Sequence, residues 1–365
     1  METTAQADQD DQTGLSAFAA SDWRGPADAP PAAAPRRAVS ESAKWLTRAK
    51  PGSHAQECLR ARAIMTEARA VVRDIHHKVG EGQRVDPRRL DPVVEAIIAS
   101  IERDPTAIPS VTQLRLRHDY TYHHSVAVCG LMVGMGRALR LGDAELYQIG
   151  IAGLLHDIGK ARVPEPLINK PAALDDHELH LVRQHPAHGH DVLQAANCLS
   201  APALDVVLNH HERMDGSGYP AGKRGADLSR HARMSAICDV YDAVTSARSY
   251  RSAWSPGEAL EWMRSAYGQF DAALLKSFAK TLGPYPCGSL VRIKGERLAI
   301  VLDPGNGDPL DPPIMVYMDA GSRRRLPAIR KERAGDSIIA VEYAERLGLA
   351  DWAVFRQEVL RPSLA

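Results

Sequence analysis

The sequence has no excess of either charge: 45 Lys and Arg balance 45 Asp and Glu among 365 residues. Such neutrality argues against a general nucleic-acid binder or a polybasic membrane-surface protein. No apolar run approaches the roughly 20 residues that a membrane-spanning helix needs. The stretch Met1 to Gln12 carries acids and no Lys or Arg, which speaks against a secretory or mitochondrial signal. Cysteine is sparse, and Cys58, Cys129, Cys198, Cys238 and Cys287 lie far apart with no C-x-x-C pair. That usage argues against a disulfide framework or a structural zinc and fits buried thiols in a reducing cytoplasm, the expected location.

One residue type is crowded. Of 15 histidines, 12 fall between His118 and His231. The remaining composition, 44% hydrophobic and 25% charged, is that of an ordinary soluble globular protein.

The chain divides by its grammar. Residues 1–40, rich in Ala, Pro, Asp and Gln, bury too little apolar surface to order and read as a disordered tail. Residues 41–108 read as a helical N-terminal region. Cys58, Ala61, Ile64, Met65, Ala68 and Val72 recur at helical spacing, and a second helix begins near Pro92. Residues 109–285 read as helical almost throughout, with apolar positions along one face of Asp119–Leu141 and again along Asp143–His156. Asp175 with Glu178 forms a capping pattern with Leu174 as staple, and Ser255-Pro256-Gly257-Glu258 repeats it. Gly283 and Pro284 close the helical part. Residues 286–365 switch to strand patterns: Leu290–Lys294 and Arg297–Leu302 flank a Gly295-Glu296 hairpin turn, with further strands at Ile314–Met318 and Ser337–Val341.

The chemistry concentrates in the helical part. His156-Asp157 ends an apolar helix. His124 lies one helix earlier, His185 on the next helix, His210-His211 on another and Asp239 on a further one. Imidazole and carboxylate donors suit Fe, Mn, Zn, Co or Ni. So many candidate ligands exceed one tetrahedral site, and a carboxylate beside a histidine can bridge two ions that together clamp a phosphoryl transfer. Asp242, one turn from Asp239, is placed to orient a ligand, and Glu212 and Asp215 are assigned the same role.

These residues resemble the HD-GYP domain, a subgroup of the HD metal-dependent phosphohydrolases, over roughly residues 110–285. The HD part is His124, His156-Asp157 and Asp239. The GYP part is His210-His211-Glu212-Arg213-Met214-Asp215-Gly216-Ser217-Gly218-Tyr219-Pro220. The resemblance implies a mainly α fold: an HD-type helical bundle with the helical N-terminal extension and a small β-rich C-terminal appendix. It implies hydrolysis of cyclic di-GMP to linear pGpG, the further step to GMP being left open, by a hydroxide bridging two divalent ions, Fe or Mn favoured over Zn, Co or Ni. Carried over by position, His124, His156, Asp157 and Asp239 hold one ion. Asp157 bridges to a second held by His185, His210 and His211. Asp157 and Lys160 are the catalytic residues. Lys160, Tyr219, Arg248 and Arg251 contact substrate. A diguanylate cyclase is a partner for the Gly218-Tyr219-Pro220 loop, a homodimer is compatible, and neither a nucleic-acid polymer nor a membrane is expected. Some members carry a Glu four residues before the first ligand. Here Tyr120 stands there, in Tyr120-Thr121-Tyr122-His123-His124-Ser125, so two ions are expected and not three. The alternatives are a scaffold of low activity that binds cyclic di-GMP or a diguanylate cyclase, and a hydrolase of another cyclic dinucleotide.

Overall fold

The computed structural model describes residues 52–112, 120–168, 170, 172–197, 199–246, 254–283, 285–303, 311–344, 347–349 and 352–360. The tail assigned to residues 1–40, together with Cys198, Arg248 and Arg251, lies outside the described residues.

Mainly helical, the chain opens with α1 (His54–Gly80), capped by Ser53, whose hydroxyl accepts from the Gln56 amide while the Gln56 side chain returns the bond. Then come α2 (Asp91–Arg103), α3 (Ala107–Thr112), α4 (Tyr120–Ala138) and α5 (Asp143–Leu155). Tyr120 is thus the first residue of α4. A 3-10 turn, Ile158–Arg162, follows α5. The short α6 (Glu165–Ile168) leads to α7 (Asp176–Arg183), α8 (His185–Ala196) and α9 (Ala201–Asn209). The body ends with α10 (Arg230–Thr245), α11 (Pro256–Ser265) and α12 (Ala272–Leu282).

Both expected capping boxes form. Asp175 accepts from the Glu178 amide and Ser255 from the Glu258 amide, each with the reciprocal bond. Leu174 and Leu179 share a small apolar cluster, as a staple requires.

Amphipathic faces were expected for α4 and α5, and the structure differs. Residues 124–133 and 149–160 are buried without interruption. The reason is position: this hairpin lies between two cores. Ile64, Val72, Ile97, Ile151 and Leu154 join α1 and α2 to one side. Met132, Leu146, Ile149, Ile237 and Phe278 join α10 and α12 to the other. Each such side chain contributes about 1.5–3 kcal/mol by leaving water. Gly153 permits the close α4–α5 contact, since a Cβ there would lie 2.8 Å from the Cys129 Cα.

The C-terminal part is an antiparallel sheet of β1 (Leu290–Ile293), β2 (Arg297–Val301), β3 (Ile314–Asp319), β4 (Arg325–Lys331) and β5 (Ile338–Val341), in the order β4-β3-β2-β1-β5. The expected hairpin turns at Gly295 and Glu296, both at positive φ. Sequence patterning missed β4, an exposed edge strand with basic residues and a proline, which lacks the alternation of a half-buried strand. It also missed α13 (Trp352–Leu360), which packs Trp352 and Leu360 against one sheet face. Glu258 fastens sheet to body by accepting from the Ala344 amide at 2.9 Å.

Candidate metal centre

The site lies where several helix ends meet. His156 caps the C-terminus of α5, and Asp157 begins the tight turn that carries Lys160. His185 is the first residue of α8. His210 caps α9 and His211 follows it, so this pair sits at a helix end and not within a helix as expected. His124 projects from α4 and Asp239 from mid-α10. All seven proposed ligands are buried.

Three of the histidines share one device. The ring Nδ1 of His156, His185 and His210 donates to the carbonyl three residues earlier, of Gly153, Val182 and Val207, at 2.8–2.9 Å. A carbonyl only accepts, so the proton stays on Nδ1 and each Nε2 presents a lone pair to the centre. His124 is held differently. Its Nδ1 lies 2.6 Å from Asp242 and its Nε2 2.9 Å from Asp239.

Asp157 stands between two groups of donors. Its Oδ2 is 3.3 Å from His156 Nε2, 4.0 Å from His124 Nε2, and accepts from Lys160 Nζ at 2.8 Å. Its Oδ1 faces His185 Nε2 at 3.2 Å and His210 Nε2 at 3.7 Å. The donor atoms of Asp157, His185, His210 and His211 lie within 4.8 Å of one another, as do those of His124, His156 and Asp157. Asp239 completes the ring, 3.9 Å from His156 Nε2 and 3.6 Å from His211 Nδ1.

Protonation follows burial and charge. Burial, then the Lys160 charge, outweighs Asp157 and pushes His185 down to about 4. Burial also lowers His210, and burial with neighbouring His210 holds His211 well below the usual imidazole range. For Asp157 burial is the largest influence and opposes ionisation, but the Lys160 charge leads the contributions that outweigh it and hold the carboxyl well below its usual range. In His124, burial is outweighed by the hydrogen bonds to Asp239 and Asp242, and its pKa is raised to about 9.

His185, His210 and His211 are thus neutral and Asp157 and Asp239 ionised, which are metal-binding forms, whereas His124 must give up a proton to a metal. The donor set also needs a cation. His185 and His210 bring two lone-pair nitrogens to 3.3 Å of each other beside an anionic oxygen. His156 Nε2, Asp157 Oδ1 and both ring nitrogens of His211 are buried with no hydrogen-bond partner. Such groups are costly to leave unsatisfied, so the residues fit divalent metal.

The remaining expected residues divide. Tyr219 stacks on His211 with ring centroids 4.7 Å apart, and the Arg183 guanidinium lies 5.3 Å from its ring centre. Gly218 makes that approach feasible, because a Cβ there would lie 2.5 Å from the His211 carbonyl oxygen. Glu212 and Asp215, assigned to orienting ligands, instead hold the loop. Glu212 accepts from the amides of Ala221 and Lys223, and Asp215 from the amide and hydroxyl of Ser217. Asp242 takes its expected place on His124. Sequence reasoning missed Arg183, and it missed His76 of α1, buried behind the site in edge contact with Tyr122. Neither carries a local signal. Among the described residues no helix is long and apolar enough to cross a membrane.

Comparison with known proteins agrees with this geometry. The HD domain family matches residues 106–274. The chain is 42% identical over 294 residues to the cyclic di-GMP phosphodiesterase PA4108 of Pseudomonas aeruginosa, covering 80% of this chain and 71% of that protein. Over 133 residues it is 38% identical to the cyclic di-GMP phosphodiesterase response regulator RpfG of Xanthomonas campestris, covering 36% of this chain and 35% of that protein. The 3'3'-cGAMP-specific phosphodiesterase 1 of Vibrio cholerae is 36% identical over 148 residues, 40% of this chain and 34% of that protein. Among solved structures, the fold matches Bd1817, a HDG"Y"P protein from Bdellovibrio bacteriovorus, with a TM-score of 0.54 at 18% identity over 66% of this chain and 77% of that one.

Proposed function

Because the chain belongs to the HD-GYP branch of the HD-domain family, we propose that it is a metal-dependent phosphodiesterase that hydrolyses cyclic di-GMP to linear pGpG, with the step from pGpG to GMP left open. The observation that carries this reading is the Asp157 carboxylate, whose two oxygens face two separate groups of histidine nitrogens. His124, His156, Asp157 and Asp239 would hold one divalent ion, and Asp157, His185, His210 and His211 a second, with Fe or Mn favoured. Bound there, two ions supply Lewis acidity toward a phosphoryl oxygen and hydroxide at neutral pH.

The protein's own residues do the rest. The backbone carbonyls of Gly153, Val182 and Val207 fix the tautomer of three ligands before substrate arrives. Asp242 does the same for His124. Lys160 places a compact positive charge beside the Asp157 carboxylate, where a phosphate oxygen would approach. Burial and the nearby Asp239 carboxylate keep the Tyr219 phenol protonated, so its hydroxyl can donate to substrate. Arg183, over the same ring, adds positive charge for a dianionic dinucleotide. Arg248 and Arg251 belong to this proposal as phosphate or guanine contacts.

Buried free thiols at Cys58, Cys129, Cys238 and Cys287 fit action in the cytoplasm. A diguanylate cyclase bound through the exposed rim of the Gly218-Tyr219-Pro220 loop, and a homodimer, extend the proposal.

The test is turnover of cyclic di-GMP, 3'3'-cGAMP and cyclic di-AMP by protein prepared and metal-loaded without air. The reading expects cyclic di-GMP to have the highest kcat/KM. Preference for another dinucleotide would reassign the substrate, and absence of turnover with metal bound would leave a binding scaffold.

A further inference from the structure

Far from the Asp157 cluster, His54, Cys58 and Asp303 converge where α1 meets the C-terminal sheet. His54 and Cys58 are four residues apart in the first turns of α1 and so share a face. Asp303 comes from the segment after β2, 249 positions away in sequence. His54 Nε2 lies 2.9 Å from Asp303 Oδ2 and 3.2 Å from Cys58 Sγ. All three donor atoms lie within 4.8 Å of one another. In a tetrahedral zinc site, bond lengths of about 2.0–2.3 Å put neighbouring donors roughly 3.3–3.6 Å apart, a spacing the two His54 pairs reach with tenths of an ångström of movement.

The other edge of His54 is set for the same purpose. Its Nδ1 lies 2.6 Å from Asp104 Oδ2. Asp104 is itself fixed, accepting from the Thr106 amide at 2.9 Å and hydroxyl at 2.7 Å through Oδ1. A carboxylate behind a histidine fixes the tautomer that turns Nε2 outward, the arrangement found behind metal-ligating histidines.

We propose that His54 Nε2, Cys58 Sγ and Asp303 Oδ2 form a second, structural metal site, zinc by its donor class, that fastens α1 to the sheet. One imidazole, one thiolate and one carboxylate suit a borderline-soft divalent ion and supply three of its ligands. The scattered cysteines had argued against structural zinc, but folding supplies the partners that no C-x-x-C spacing announces. Without metal the same groups form a charged clasp, in which hydrogen bonds to Asp104 and then Asp303 push His54 up to about 12. Zinc must therefore displace a proton, and its affinity rises with pH.

Cobalt(II) distinguishes the two sites, because the Asp157 cluster has only nitrogen and oxygen donors. Full-length protein loaded with cobalt(II) should show a near-ultraviolet thiolate-to-cobalt charge-transfer band that zinc abolishes. The band should be retained in His156→Ala and lost in Cys58→Ser. Should Cys58→Ser fail to fold, Asp303→Asn keeps the thiol and should weaken the cobalt titration by about tenfold or more. Absence of the band in the wild-type protein, or its survival in Cys58→Ser, would leave only a His–Asp clasp and overturn the proposal.

Discussion

Gly159 is the point at which α8 comes closest to the turn that carries Asp157 and Lys160. A methyl group on its Cα would lie 1.9 Å from the His185 carbonyl oxygen and 2.4 Å from the Gly189 amide nitrogen. Both are backbone atoms, so no side-chain rotation relieves the clash. Real Cβ contacts do not fall below 3.0 Å, so α8 must retreat by about 1 Å. His185 opens that helix, and its Nε2 is 3.2 Å from Asp157 Oδ1. The retreat therefore opens the His185–His210 side of the cluster and leaves the His124–His156 side in place. Overpacking of this kind costs about 1–3 kcal/mol, which the large core tolerates. A misplacement of about 1 Å at reacting groups costs roughly 10²-fold in rate. Gly159→Ala should accordingly fold, lose one of its two ions, and turn over cyclic di-GMP about 10²-fold more slowly. Gly189→Ala is the internal calibration, because its nearest contacts are 3.1 Å and need only small adjustment. Thermal unfolding, elemental analysis and initial rates on anaerobic preparations measure all three effects. Full metal content and a rate within about twofold of wild type in Gly159→Ala would refute the argument.

Further expectations follow from other parts of the molecule. Asp242→Asn removes the carboxylate that orients His124 through its Nδ1, and metal affinity or rate should fall by roughly 10–100-fold with little change in melting temperature. Ser255→Ala removes a buried cap of α11 and should cost about 1 kcal/mol in denaturant unfolding while leaving kcat unchanged. In metal-free protein, His54 stabilises fully below the ordinary histidine value and loses that contribution as pH climbs toward its raised value of about 12. His54→Gln should therefore destabilise more at about pH 6 than at about pH 9. Burial drives His76 the other way, down to about 4, so its neutral form costs stability as pH falls from 6.5 toward 4, by up to roughly 3 kcal/mol. His76→Phe should flatten that acid limb, and an unchanged acid limb would refute the assignment.

What the sequence made legible was local. The capping boxes at Asp175 and Ser255 and the hairpin at Gly295-Glu296 depend on residues a few positions apart, and each formed where its spacing indicated. The nearness of His124, His156, Asp157, His185, His210, His211 and Asp239 was legible through a family resemblance and not through periodicity, because five separate helices bring them together. The backbone tethers on Nδ1 escaped notice because any histidine at a helix C-terminus has a carbonyl three residues back, and only the fold decides whether the ring turns toward it. His76, Arg183 and the clasp at His54 depend on contacts between distant segments. Strand β4 is charged and exposed, so it lacks the alternating burial that reveals a strand. Helices α4 and α5 are enclosed on nearly all sides, which erased the face that periodicity expects.

The central claim is that Asp157 joins two metal-binding groups into one phosphodiesterase centre. Its most direct test is the rate of pGpG formation from cyclic di-GMP by metal-loaded wild-type protein and by Asp157→Asn under identical anaerobic conditions. Formation of pGpG by the wild-type protein and none by the variant is the predicted result. Equal rates in the two proteins, or no product from wild-type protein with both ions bound, would contradict the account.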